Sequence, residues 1–233
     1  MKNKTFVIVG VSSGIGLALC EHFVAQGNRV IGIGRKSSIQ NQNFSFFSLD
    51  LLDEDAVDKF DFPHLDDFVF IYNSGVLGEV LPISAQSDSN AKTVFQVNYL
   101  AAVALTKKVL KLNSCKQIIY ISSGAAKRAI PSWAQYCASK SALDMFAETL
   151  QLELQAEKAN VIVRSIAPGV VDTPMQAQIR STSEEDFPSV QNFRDLHENG
   201  DLVSPKIVAK KTAKVIGAPK DFEGVCLSLR NVE

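Results

Sequence analysis

Short apolar runs alternate with helical patterns along almost the whole of this 233-residue chain. Thr5–Val9 is a β-branched run. Residues 15–26 then place Ile15, Leu19 and Phe23 at i, i+4 and i+8, with Gly27 as a helix stop. Further strands are expected at 29–33, 44–49, 68–72, 116–121, 160–166 and 225–229. Helices are expected at 53–60, 87–112, 133–158 and 205–216, the last with Pro205 suited to a first helical position. Most strand runs are continuously apolar rather than alternating. That pattern belongs to parallel strands covered by helices on both faces. It predicts an α/β fold with a doubly wound parallel sheet of about seven strands flanked by helices. No repeat, low-complexity tract or Pro/Gly/Ser linker divides the chain, so residues 1–233 are expected to form a single domain. Only residues 172–204 read as a long irregular stretch, where a flexible substrate lid could sit.

Composition narrows the function. The chain has 24 Lys+Arg against 25 Asp+Glu, a net charge of −1. It therefore carries no basic footprint for nucleic acid or an anionic membrane. No uncharged apolar run approaches the ~18–20 residues of a membrane span. The apolar stretch after Met1-Lys2-Asn3-Lys4 is too short for a signal peptide, so a cytoplasmic location is expected. Cys20, Cys115, Cys137 and Cys226 are scattered without a C-x-x-C, and His22, His64 and His197 lack close Cys or His neighbours. No metal site is expected, and the thiols read as reduced.

The segment Gly10-Val11-Ser12-Ser13-Gly14-Ile15-Gly16 follows the first strand and opens the first helix. Gly10 permits a tight turn, Gly14 a close backbone approach to a pyrophosphate at the helix N-terminus, and Gly16 close helix–strand packing. Ser12 and Ser13 can donate to phosphate. The spacing is G-x-x-x-G-x-G rather than G-x-G-x-x-G, and its place between strand and helix points to a Rossmann-type nucleotide site. An NAD site usually puts an acidic residue about 20 positions further on. Here the chain reads Gly32-Ile33-Gly34-Arg35-Lys36, with two cations and no carboxylate. A guanidinium suits a ribose 2′-phosphate, so NADP(H) is expected rather than NAD.

Tyr136 and Lys140 stand at i and i+4 on one helix face. A phenol is a poor acid–base catalyst near neutral pH, but a nearby ammonium favours its ionised form. Ser123 lies upstream at the end of the expected strand 116–121, on the sheet edge where open α/β sheets build their sites. Its hydroxyl could hold a carbonyl oxygen while Tyr136 protonates it.

With these motifs in place, the chain resembles the short-chain dehydrogenase/reductase family over essentially its whole length. The glycine turn matches the family's T-G-x-x-x-G-I-G, with Val9 for the usual Thr. Asp50-Leu51 is similar to the pair that contacts adenine. Tyr72-Asn73-Ser74-Gly75 stands where the family has N-N-A-G, with Tyr72 and Ser74 as departures. Asn98, Ser123, Tyr136 and Lys140 fall on the family's catalytic residues. Pro168-Gly169-Val170-Val171-Asp172-Thr173-Pro174-Met175 resembles the segment that holds the nicotinamide end. The departures at Val9 and Tyr72 remove side chains that tie neighbouring strands or turns, and touch scaffolding rather than chemistry.

The resemblance implies a cofactor site of Gly10, Ser12, Ser13, Gly14, Ile15, Gly16, Arg35, Lys36, Asp50, Leu51, Asn73, Ser74, Gly75, Tyr136, Lys140, Pro168, Gly169, Val171 and Thr173. It implies hydride transfer from NADPH to a carbonyl carbon of a small molecule. Tyr136 donates the proton and Ser123 binds the oxygen. Lys140 depresses the tyrosine pKa and holds the ribose, and Asn98 positions Lys140. The stretch from Gly169 through Met175 to Phe187-Pro188 resembles the sepiapterin reductase and benzil reductase branch, which reduces diketones and side-chain ketones. Trp133, Ile130 and Met175 are candidates for an apolar substrate wall. A 3-oxoacyl-carrier-protein reductase, with Lys127-Arg128 meeting the acidic carrier, and an NADP-binding regulator without turnover are the competing readings. Ser183-Glu184-Glu185-Asp186 reads as a capped helix start. The family often pairs through its two long helices, here 87–112 and 133–158, so a homodimer or homotetramer is expected.

Overall fold

The computed structural model describes residues 3–232. Seven strands form one parallel sheet: β1 (Thr5–Val9), β2 (Arg29–Gly34), β3 (Phe44–Ser48), β4 (Phe68–Tyr72), β5 (Cys115–Ile121), β6 (Ile162–Ala167) and β7 (Cys226–Ser228). Their order is β3-β2-β1-β4-β5-β6-β7, with every neighbouring pair parallel. The helices are α1 (Gly14–Ala25), α2 (Glu54–Lys59), α3 (Asp88–Phe95), α4 (Ala101–Lys111), α5 (Ala134–Ala156), α6 (Pro174–Arg180), α7 (Val190–Glu198) and α8 (Pro205–Gly217). This is the doubly wound Rossmann-type fold that the alternation predicts.

Strand periodicity explains why the apolar runs are continuous. In β1, Val7 and Val9 enter one core with Leu105 of α4 and Leu143 and Ala147 of α5. Phe6 and Ile8 enter the other, with Leu19 and Phe23 of α1 and Val208 and Ile216 of α8. Both faces are covered, so both sets of alternate residues must be apolar. Each such side chain contributes about 1.5–3 kcal/mol by leaving water. The order reverses between β1 and β4, and that reversal opens a crevice at the carboxyl edge of the sheet.

Two segments depart from the expectation. The helix expected over 87–112 runs without a break from Asp88 to Lys111 but widens into a π turn at Gln96–Leu100, between α3 and α4. Asn98 sits in that turn, a place where such widenings often serve a site. Residues 172–204 are not irregular: they hold α6 and α7. Thr173 caps α6 and Pro174 takes its first position, a start signal legible in the sequence. Val190 and Phe187 are fully buried against Trp133 and Tyr136. The base of the segment is closed by a bridge between Val171 and Val203. Ser183 receives the Asp186 amide at 3.0 Å, but it closes a single turn and not the expected helix.

Candidate active site

A cavity of about 900 Å³ occupies the crevice. The turn after β1 forms one end. Gly10 has φ +89°, and a Cβ there would lie 2.5 Å from Ser74 Oγ. A Cβ on Gly16 would lie 1.9 Å from the Gly10 carbonyl oxygen. Asn73 Nδ2 donates to that same carbonyl at 2.7 Å, so Asn73 and Gly16 lock the turn against β4. Gly16 therefore packs the turn, as expected, but it does not line the cavity with the rest of the expected cofactor site. Ser13 precedes α1 without making a side-chain cap, which leaves first-turn amides without a side-chain acceptor beside Gly14 and Ile15. Ser12 lines the cavity too, but its hydroxyl hydrogen goes to the Lys36 carbonyl at 2.8 Å.

Arg35 lines the cavity at the end of β2, while Lys36 does not. Asp50 and Leu51 also line this end. Asp50 Oδ1 accepts from the Leu52 amide at 3.0 Å, and the Leu51 carbonyl accepts from Gln96 at 3.0 Å. Asp50 is the only carboxylate among the described lining residues. Uncapped helix amides, an unopposed guanidinium and a long cleft suit a dinucleotide with a 2′-phosphate.

The reactive end gathers Ser123, Tyr136 and Lys140 on the cavity wall. Ser123 follows β5, and its Oγ accepts from the Ala125 amide at 3.1 Å. It also faces the Tyr136 phenol and acts to lower its pKa. Lys140 lies one turn along α5; its Nζ donates to the Ile121 carbonyl at 2.9 Å and sits 5.9 Å from the Tyr136 ring centre. Burial pushes the Tyr136 pKa up to about 12, and Ser123 only partly opposes it. Burial lowers the Lys140 pKa to about 8, against a smaller opposing pull from Asp144. The net shift of the Tyr136 phenol is therefore upward, where the spacing to Lys140 alone led to the expectation of a depressed value. Desolvation dominates both groups.

Asn98 is fully buried and does not line the cavity. Its amide clamps Val76 at both ends, accepting from the nitrogen at 2.8 Å and donating to the carbonyl at 2.9 Å. It also donates to Ser139 Oγ at 3.0 Å, which donates in turn to the Tyr136 carbonyl at 2.8 Å. Asn98 therefore fixes the segment after β4 to α5. Gly75 lies between them: a Cβ there would be 3.2 Å from Lys140 Nζ and 3.5 Å from Asn98 Oδ1.

Pro168, Gly169, Val171 and Thr173 line the cavity beyond β6. Trp133, Ile130 and Met175 line the wall beside them, as expected, and Phe193 of α7 joins them. The Trp133 ring stacks on Phe187 at 5.4 Å. Among the lining residues outside the expected cofactor and catalytic set are Gln176, Arg230 and Arg128. Nothing local distinguishes Gln176 or Arg230 in the sequence. Arg128 stood only in the Lys127-Arg128 pair, which the structure splits. Lys127 turns to Asp144 at 3.8 Å and Glu148 at 4.0 Å, while Arg128 reaches the cavity.

A family model described as short chain dehydrogenase matches residues 4–184. The chain belongs to the short-chain dehydrogenase family. This short-chain dehydrogenase is 33% identical to a benzil reductase ((S)-benzoin forming) of Bacillus subtilis, over 88% of this chain and 90% of the relative. It is 30% identical to an NADPH-dependent 3-dehydrocapnine reductase of Ornithobacterium rhinotracheale, over 75% of this chain and 68% of the relative. Its fold is similar to the crystal structure of the short-chain dehydrogenase/reductase YIR035C from Saccharomyces cerevisiae. That match has a TM-score of 0.85 and 25% identity, and covers 98% and 97% of the two chains. As a family member the chain is an oxidoreductase acting on carbonyl or CH–OH groups.

Proposed function

We propose that this short-chain dehydrogenase is an NADPH-dependent reductase of ketones or diketones, with Tyr136 as its proton donor. The observation that carries the reading is the convergence of Ser123, Tyr136 and Lys140 on the cavity wall, with Ser123 close enough to the Tyr136 phenol to lower its pKa. Similarity to benzil reductases supports the carbonyl class, and the NADPH-dependent relative supports the cofactor. Arg35 would meet the 2′-phosphate, and the α1 amides the pyrophosphate. Bound there, the reduced nicotinamide supplies a hydride to the carbonyl carbon.

The chain's own residues do the rest. Ser123 and Tyr136 both hydrogen-bond the carbonyl oxygen. Tyr136, whose burial keeps it protonated, gives its proton as negative charge develops there. Protonated Lys140 stabilises the phenolate left behind. Positioned proton transfer of this kind is worth ~10²–10⁴ in rate. Asn98 holds α5 and the segment after β4 in register around Gly75. A high tyrosine pKa suits reduction, which needs the phenol, over oxidation, which needs the phenolate.

No helix among the described residues is long and apolar enough to cross a membrane. The reading adds a cytoplasmic location and a homo-oligomer pairing through α4 and α5, where Leu100 just before α4 and Met145 and Leu152 of α5 stand exposed. Loss of NADPH absorbance with a panel of diketones and ketones tests the activity. Tyr136→Phe should remove turnover and leave NADPH binding within twofold. Tight NADPH binding without oxidation by any member of the panel would instead favour a regulator.

A further inference from the structure

We propose that the reactive end of the cavity takes an anionic ketone, a 2-oxo acid whose carboxylate is held by Arg230 and Arg128. This rests on the carbonyl-reductase reading and adds the charge of the substrate. The chain as a whole balances 24 cations with 25 anions, yet the cavity does not. Besides the catalytic Lys140, Arg128 and Arg230 line it around Tyr136 and Gly169, and the only carboxylate among the described lining residues, Asp50, lies beyond β3. A neutral diketone gives no reason for that segregation.

The two arginines are placed by the fold. In the parallel register Ser228 of β7 lies beside Ala167 of β6, so the chain leaving β7 reaches the same sheet edge as Pro168-Gly169. Ser228 Oγ accepts from the Arg230 amide at 3.4 Å and shapes that turn. The Arg230 side chain then lies over Gly169: a Cβ built there would be 3.8 Å from its Nε and 3.9 Å from its Cγ. Arg128 arrives from the segment after β5, on the other side of β6. Its carbonyl accepts from Cys137 Sγ at 3.8 Å, which ties it to the helix of Tyr136.

Three neighbouring cations are ion-paired: Lys127 has Asp144 at 3.8 Å, Arg194 has Glu184 at 3.5 Å, and Arg180 has Asp172 at 4.0 Å. Arg128 and Arg230 have no ion pair among the described residues. Gln176, only 3% exposed, lines the same end, and neither its amide nitrogen nor its amide oxygen has a partner. Guanidinium forks match a carboxylate with paired N–H bonds, and an amide nitrogen can supply one more. In the reaction the ketone carbon gains a hydride from NADPH and its oxygen the Tyr136 proton. The carboxylate is unchanged, and the product is a 2-hydroxy acid anion with NADP⁺.

Phenylglyoxylate and its methyl ester test this, because they share a ketone and differ in charge. The wild-type enzyme should show at least a tenfold higher kcat/KM for the acid, an advantage that shrinks as salt rises. Arg230→Gln and Arg128→Gln should each remove most of that advantage through KM. The ester's kcat/KM and the NADPH Kd should stay within twofold. An ester as good as the acid in wild type, or equal losses for both in Arg230→Gln, overturns the proposal. A rise in NADPH Kd in Arg230→Gln also overturns it and assigns that arginine to the cofactor. Reduction of benzil without phenylglyoxylate removes the anionic substrate alone. Reduction of none of the three removes the carbonyl-reductase reading as well.

Discussion

The Tyr72 hydroxyl donates to the carbonyl of Val97, the residue before Asn98. Both residues are buried, so the bond ties the end of β4 to the π turn that carries Asn98. Tyr72 is the departure from the family's usual asparagine that was expected only to remove a tie. It supplies a different one. Tyr72→Phe should leave the Val97 carbonyl without a partner, at about 1–3 kcal/mol. For a chain of this size that is roughly 2–12 °C in Tm. A thermal melt checks it, and an unchanged Tm would show that the bond contributes nothing.

What the sequence made legible follows from how local each signal is. Most of the glycine turn, Ser123, Tyr136 and Lys140 are short motifs with fixed offsets, and all of these line one cavity. The sheet was legible because burial on both faces leaves continuous apolar runs. The Tyr72–Val97 bond was not, because it joins positions far apart in the chain and depends on a π turn that no periodicity announces. Arg230 was missed for a similar reason: only the β6–β7 register brings it to the cavity. The direction of the Tyr136 shift was missed because charge proximity is visible as i,i+4 spacing, whereas burial is not.

Lys140 should set the pH dependence of reduction. Its pKa of about 8 is the one near neutrality in the reactive group, since Tyr136 is pushed up to about 12. Protonated Lys140 favours the phenolate that forms as Tyr136 gives up its proton. kcat/KM for reduction should therefore be level at acid and neutral pH and fall through about pH 8. In Lys140→Arg the fall should move to higher pH, because guanidinium stays charged. Initial rates across pH 6–10 read this directly; an unchanged limb in Lys140→Arg would assign it elsewhere.

The same residue is expected to weaken the fold. The ordinary lysine value is 10.5, so between about 8 and 10.5 the unfolded chain binds more protons at this position. Stability therefore rises with pH across that window, and the penalty of burying the charge is fully present below pH 8. Lys140→Met should abolish turnover yet raise stability at pH 7 by roughly 1–3 kcal/mol. The gain should disappear by pH 10.5. Melting curves of both proteins at the two pH values are the measurement, and a lower Tm for Lys140→Met at pH 7 would contradict the prediction.

Arg35 and Lys36 are neighbours in sequence but not in consequence. Arg35 lines the cavity at the end of β2, whereas Lys36 contributes only its carbonyl, which receives the Ser12 hydroxyl. A guanidinium on a 2′-phosphate makes charge-assisted paired hydrogen bonds worth about 1.5–3 kcal/mol. Arg35→Ser should therefore weaken NADPH binding by roughly 10–100-fold. NADH binding should change little, because it has no phosphate at that position. Lys36→Ser keeps the carbonyl and should leave both affinities within about twofold, as expected of an exposed side chain outside the cavity. Fluorescence titrations of the three proteins with both cofactors decide it. Equal losses of NADPH and NADH affinity in Arg35→Ser would mean that the arginine supports the loop rather than reading the phosphate.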